Sequence, residues 1–288
     1  TVGYTVTSGP CVKTTSMNIN VEKFVPATLT STVGPYCWNA MPTNLNGIVL
    51  QSGGTWSGPG VIGTNFDPSF SGSGLFTLTY NTYSSPTASL CPDVSTIAVQ
   101  VNPQPIANIV TSTLTSCVPG SITFSSPNVN TGTGFWTFGD SHTANGLSAT
   151  HTYTAPGNYF VTFDYMDNIG CRVYTQLPMP IVIYPSPVAN FNILPDENIT
   201  VATPEVEFIN TSTVLQNNTY YWNVGNIMQF NTVNASYICS EYGTMYITLV
   251  ATNEYGCTDT ITKLLDVKND YGVWVPNSFT PNNDGVND

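Results

Sequence analysis

Apolar and polar residues alternate with a period of two through most of this chain, and no stretch carries a 3.6-residue apolar stripe of useful length. The alternation is clearest in ATHTYTAPGNYFVTFDYMDNIGC (149–171) and ASYICSEYGTMYITLVATNEYGC (235–257), which align on a late Gly and Tyr and a closing Gly-Cys. Strand-rich runs recur at STIAVQVNPQP (95–105), LPMPIVIYPSP (177–187) and TITKLLDVKND (260–270). Prolines at 103, 105, 185 and 187 punctuate them and mark short linkers between compact units. The pattern predicts an all-β chain of tandem immunoglobulin-like sandwiches arranged as beads on a string.

The beads repeat. Cys11, Cys91 and Cys171 are 80 apart, Cys257 follows after 86, and Cys37 to Cys117 is again 80. Trp56, Trp136 and Trp222 keep the same steps of 80 and 86. A fixed period of this size implies one structural plan used three times. It divides the chain into the tail of a preceding domain (1–24), three sandwiches (25–104, 105–186 and 187–269) and the start of a further domain (270–288).

Within a unit the order is Cys, Trp, Cys, with Cys37 to Cys91 and Cys117 to Cys171 both 54 apart. This spacing reads as one disulfide inside each two-sheet sandwich, packed near its Trp. Each such bridge would stabilise its domain by roughly 4 kcal/mol through loop entropy, and oxidised pairs imply an extracytoplasmic address. Cys11 has the phase of Cys91 and Cys171, so its expected partner lies upstream of Thr1. The third unit has no cysteine where Cys117 would recur, which leaves Cys257 free or paired with Cys239. The three periodic tryptophans are expected in cores, and the out-of-phase Trp38 and Trp274 at interfaces.

Composition narrows the function. Five Lys and Arg against seventeen Asp and Glu give a net charge of −12. So few cations cannot neutralise a phosphate backbone or dock on anionic lipid. No apolar run approaches the roughly 18 residues of a membrane span. Nucleic acid and direct membrane insertion are therefore not expected, and charged residues at 8% leave Ser, Thr, Asn and Gln to solvate the surface, as in exported β proteins.

Three resemblances follow from particular residues. FWTFGDSHTANGLSATHTYTAPGNYFVTF (135–163) resembles the polycystic-kidney-disease (PKD) type of immunoglobulin-like domain, with Ser141 where that pattern has a Gly. The third unit keeps Trp222, Gly225, Gly243 and Tyr246 and reads as a diverged member. GGTWSGPGVIGTNFDPSFSGSGLFTLTY (53–80) resembles glycine-rich repeats of very large surface proteins of gliding Bacteroidetes.

VPNSFTPNNDGVND (275–288) is similar to the start of the gliding-motility-associated C-terminal domain. The resemblance assigns the sorting motif to Pro276, Asn277, Phe279, Pro281, Asn282, Asp284, Gly285, Asn287 and Asp288. It implies a type B signal read by the type IX secretion translocon, an outer-membrane partner barrel, and attachment at the outer membrane of a secreted adhesin. A distal surface or polysaccharide ligand would then bind upstream of this chain. The competing reading makes these modules spacers of a secreted polysaccharide-degrading enzyme.

Catalytic chemistry finds little purchase. No Gly-x-Ser-x-Gly elbow occurs and there are only two histidines, so no catalytic residue and no cofactor are expected. Asn282, Asp284, Asn287 and Asp288 read as an Asx-turn network, because an EF-type loop aligned on Gly285 would open on Thr280 instead of Asp. Asp140, His142 and His151 form the one cluster that could hold zinc, and they read as turn and packed-strand residues instead. Asn198, Asn210, Asn217 and Asn234 lie in Asn-x-Ser/Thr sequons, and Asp259-Thr260-Ile261 resembles a short Bacteroidetes O-glycosylation motif.

Overall fold

The computed structural model describes residues 1–19, 23–82, 90–91, 93–195, 199–213 and 217–270. Nearly every ordered element is a strand, and the chain is a tandem array of immunoglobulin-like β-sandwiches. No helix among the described residues is long and apolar enough to cross a membrane.

Each unit is built on one four-stranded sheet of common plan. In the middle unit its order is Thr143–Asn145, Thr133–Thr137, Thr162–Met166 and Arg172–Gln176. The third unit repeats it with Met228–Phe230, Thr219–Val224, Gly243–Thr252 and Thr258–Val267. In the first, Thr55–Ser57 pairs with Gly74–Asn81, which pairs in turn with Val94–Asn102, and Tyr36–Cys37 adds to the far edge in parallel.

Opposite this sheet the middle unit packs Val110–Thr111, Gly120–Ser125 and Ser148–Tyr153, and the third packs Phe191–Leu194, Glu205–Asn210 and Ala235–Ile238. The first unit instead carries the small sheet Thr43–Asn44, Asn65–Phe66 and Val61–Ile62. It also has a single helical turn, Pro68–Ser71, capped by the Asp67 carboxylate accepting from the Ser69 amide at 3.0 Å. Glycine-rich turn chemistry thus replaces part of one sheet in this unit.

The period-2 alternation sends one side chain in two into a separate core in each unit. Trp56, Trp136 and Trp222 occupy the same strand of the common sheet and are all buried. Trp136 stacks on Phe163 with centroids 4.1 Å apart and donates its indole N–H to the Gly146 carbonyl at 2.9 Å. Trp222 donates to the Thr232 carbonyl at 3.0 Å, 86 residues on from Gly146. The hydrogen bond therefore repeats with the sequence. Gly134 of the middle unit admits this packing: a Cβ there would sit 2.4 Å from the Gly146 carbonyl oxygen and 2.5 Å from Phe163.

Ahead of the first sandwich, Val2–Ser8 and Cys11–Met17 form an antiparallel hairpin exposed along its length. Gly9 takes a positive φ of 59° at its turn, placing Cys11 beside Ser8 at the tip.

Candidate functional site at the unit junctions

The repeated plan places a cysteine at the tip of the last hairpin of a sandwich and, in the first two units, another at the opposite end. The loop between the last two strands of the common sheet reads Asp-Asn-Ile-Gly-Cys (167–171) in the middle unit and Asn-Glu-Tyr-Gly-Cys (253–257) in the third. In the first loop Oδ1 of Asp167 accepts from the amides of Ile169 at 2.9 Å and Cys171 at 2.8 Å. In the second, Oδ1 of Asn253 accepts from Tyr255 at 3.1 Å and Cys257 at 2.9 Å. Gly170 and Gly256 complete the turns at φ 95° and 79°, a region that side-chain-bearing residues avoid. These local bonds fix a cysteine at the tip of each loop.

At the opposite end, Cys37 lies beside Asn102 and Cys117 beside Tyr184, each in parallel register with the final strand of its own unit. The following amides close the arrangement, Trp38 donating to the Asn102 carbonyl at 2.9 Å and Val118 to the Tyr184 carbonyl at 3.0 Å.

The disulfides join these two kinds of cysteine across the junctions. Cys37 of the first unit bonds Cys171 of the middle unit, 134 residues away, and Cys117 of the middle unit bonds Cys257 of the third, 140 away. Their Cα atoms are 5.4 and 5.6 Å apart, within the usual disulfide range.

This corrects the pairing expected from spacing. Cys37 is not joined to Cys91, Cys117 is not joined to Cys171, and Cys239 is not joined to Cys257. The reason is that the tip loop of each sandwich points at the preceding unit, so the cysteine at the right phase belongs to the neighbour. Cys239 is a free thiol buried in the third core, where burial pushes its pKa up. Cys11 is free and exposed, and the side chain of Cys91 lies outside the described residues.

The two junctions differ beyond the disulfides. At the second, Tyr184 and Tyr255 stack with centroids 4.3 Å apart and planes 7° from parallel, and Asn253 Nδ2 donates to the Pro185 carbonyl at 2.7 Å. At the first, Asn39 Nδ2 reaches the Arg172 carbonyl only at 3.5 Å. Asp167, at the position of Asn253, has no N–H with which to donate. Trp38, the residue after Cys37, is 39% exposed.

Asp167→Ala removes the acceptor for two loop amides and is expected to lower the fraction of Cys37 bonded to Cys171 after oxidative refolding. Asp167→Asn, which copies the third unit, retains Oδ1 and should leave that fraction unchanged. Peptide mapping without reduction measures both.

The sequence cluster Asp140, His142 and His151 is brought together, with its ligand atoms all within 4.8 Å. His151 Nε2 lies 2.7 Å from Asp140 Oδ2, and His142 Nδ1 lies 3.3 Å from the same oxygen. The His151 ring stacks on Phe138 at 4.3 Å, as the packed-strand reading expects. Burial raises the Asp140 pKa, but hydrogen bonds from His151 and the His142 amide outweigh it and hold the carboxyl below its ordinary value.

A carboxyl depressed by folding stabilises the fold above its unfolded pKa, and the effect is lost as pH falls through the folded value. Asp140→Asn is therefore expected to destabilise the middle unit at neutral pH by about 1 kcal/mol, with the difference from wild type shrinking below about pH 4. Urea denaturation across pH tests this.

The sorting-motif residues Pro276, Asn277, Phe279, Pro281, Asn282, Asp284, Gly285, Asn287 and Asp288 lie outside the described residues, as does Trp274. Of the sequons, Asn210, Asn217 and Asn234 are described and Asn198 is not.

Comparison with known proteins places one unit. Residues 102–178 match the PKD domain family. Among solved structures, the PKD1 domain of the Vibrio cholerae metalloprotease PrtV is 26% identical over 28% of this chain and 96% of that domain, with a TM-score of 0.25. The PKD1 domain of Vibrio anguillarum Epp is 24% identical over 30% of this chain and 96% of its own, also at 0.25. A Ca2+-stabilised adhesin, described as helping an Antarctic bacterium reach out and bind ice, is 10% identical over 75% of this chain and 65% of its own, at 0.33. No curated protein matches the chain.

Proposed function

We propose that this chain is the non-catalytic stalk of a secreted cell-surface adhesin, spacing a distal binding region from the cell and leading into a type IX secretion sorting domain. The junction disulfides support the stalk most directly, because a cross-link at each joint serves a rod that must keep its length and direction. Oxidised cysteines are compatible with an extracytoplasmic location. The PKD match supports a structural module.

The sorting function, the secretion translocon and the outer-membrane partner barrel rest on VPNSFTPNNDGVND (275–288), and gliding motility on that stretch together with the glycine-rich run 53–80. On this reading Cys11 and Cys91, which share the phase of Cys171 and Cys257, serve further units upstream.

The test is to label live cells with an antibody against residues 25–268. Label that moves along the surface, and is lost when the secretion channel is deleted, is the expected result. Label shed into the medium alongside a polysaccharide-degrading activity would overturn it in favour of the enzyme-spacer reading.

A further inference from the structure

The two disulfides overlap in sequence, and their overlap decides how the array responds to tension. Cys37–Cys171 and Cys117–Cys257 enclose loops that share residues 117 to 171. Between Cys37 and Cys257 the backbone alone covers 220 positions. The shortest covalent route crosses from Cys37 to Cys171, runs backwards along the chain to Cys117, and crosses again to Cys257. It contains only the 54 positions between Cys117 and Cys171.

We infer that the array is a load-bearing device in which the middle unit alone limits extension, while the bodies of its two neighbours are bypassed. This rests on the cross-links and holds whichever surface protein carries the chain.

At full extension a residue spans about 3.5 Å, so the segment between Cys37 and Cys257 can lengthen to about 190 Å when oxidised and about 770 Å when reduced. Unfolding the first sandwich beyond Cys37, or the third before Cys257, releases no length, because each lies in a slack branch parallel to a shorter covalent path.

The loaded segment is suited to the task. Residues 117 to 171 supply Ile122, Phe124, Trp136, Phe138, Phe163 and Tyr165 to the core of the middle unit, so the route cannot straighten without opening that core. Its two anchors lie at opposite ends of the unit, one on each junction. Cys117 leads into Gly120–Ser125, whose six register pairs run from Gly120 opposite Tyr153 to Ser125 opposite Ser148. Cys171 closes the hairpin of Thr162–Met166 in the other sheet. Opposed pulls at these points act along the strands, so ladder hydrogen bonds share the load instead of breaking one at a time.

Single-molecule pulling on the ends of the full chain tests the inference. Between the cross-link positions, the oxidised protein should reach an extended length of about 190 Å in one event, and reductant should raise that extended length about fourfold, with three events. Paired variants redirect the path. Cys117→Ala with Cys257→Ala leaves only the first bridge, shifts the load to residues 171 to 257, and should give an extended length of about 300 Å. Cys37→Ala with Cys171→Ala shifts it to residues 37 to 117 and should give an extended length of about 280 Å.

Trp136→Ala should lower the force of the oxidised release, whereas Trp222→Ala should leave its length unchanged even if the third unit unfolds. Three separate unfolding events between the cross-link positions of the oxidised protein, or the same extended length in both paired variants, would overturn the inference. The adhesin reading fails separately, on the location of the label in cells.

Discussion

Trp136→Ala is expected to destabilise the middle unit by about 3–5 kcal/mol, the range for truncating a large buried aromatic. The residue is fully buried, stacks on Phe163 at 4.1 Å and approaches Phe124 at 6.0 Å. Its removal also strands the Gly146 carbonyl that its indole N–H now satisfies. Hydrogen exchange of the full chain in urea should show the loss confined to amides of the middle unit, because each sandwich has its own core. The control is Trp38→Ala, an exposed position, where the change should stay within about 0.5 kcal/mol. Equal losses at the two tryptophans would contradict the division between core and junction residues.

Reduction is expected to have the other large effect. Closing loops of 134 and 140 residues removes denatured-chain entropy worth about 5 kcal/mol for each bridge taken alone. Because the loops overlap, the pair should contribute less than twice that. Reductant should lower the thermal midpoints of the units and loosen the junctions unequally. The second junction keeps the stacked Tyr184 and Tyr255 and the bond from Asn253 to Pro185, so it should stay closed longer. Among the described residues the first shows the long Asn39 to Arg172 hydrogen bond in place of these, and it should open first. Distance measurements between labels placed on either side of each junction follow this directly. Equal loosening at both would mean that the tyrosine stack adds nothing to the second.

The fold was legible because its signal is local. Alternation of period two, prolines at the linkers and Trp at steps of 80 and 86 each report on residues that pack within one unit, and the buried Trp56, Trp136 and Trp222 follow from them. Disulfide partners are another matter. In a repeat of 80, a separation of 54 within a unit and of 134 to the next unit have the same phase, so periodicity cannot tell a sandwich from its neighbour.

One signal in the sequence did favour the junction pairing. The third unit has Cys257 but no counterpart of Cys117, so pairing within units orphans Cys257, whereas pairing between units gives it Cys117 and leaves Cys239 as a core residue. The Asp167 and Asn253 turns carried a second hint, since a rigid loop ending in Cys at the tip of a hairpin faces outward. The Asp140, His142 and His151 cluster was visible in the sequence, while the Asp140 to His151 hydrogen bond within it was not, since the turn at Ser141, which adopts φ 75°, and the strand register bring the two together.

Peptide mapping of the oxidised protein without reduction tests the central claim most directly. The account predicts one linked peptide joining Cys37 to Cys171 and another joining Cys117 to Cys257, with Cys239 as a free thiol. Recovery of Cys37 with Cys91 and Cys117 with Cys171 would return each bridge to the inside of its own sandwich, and the stapled junctions and their force path would both fall.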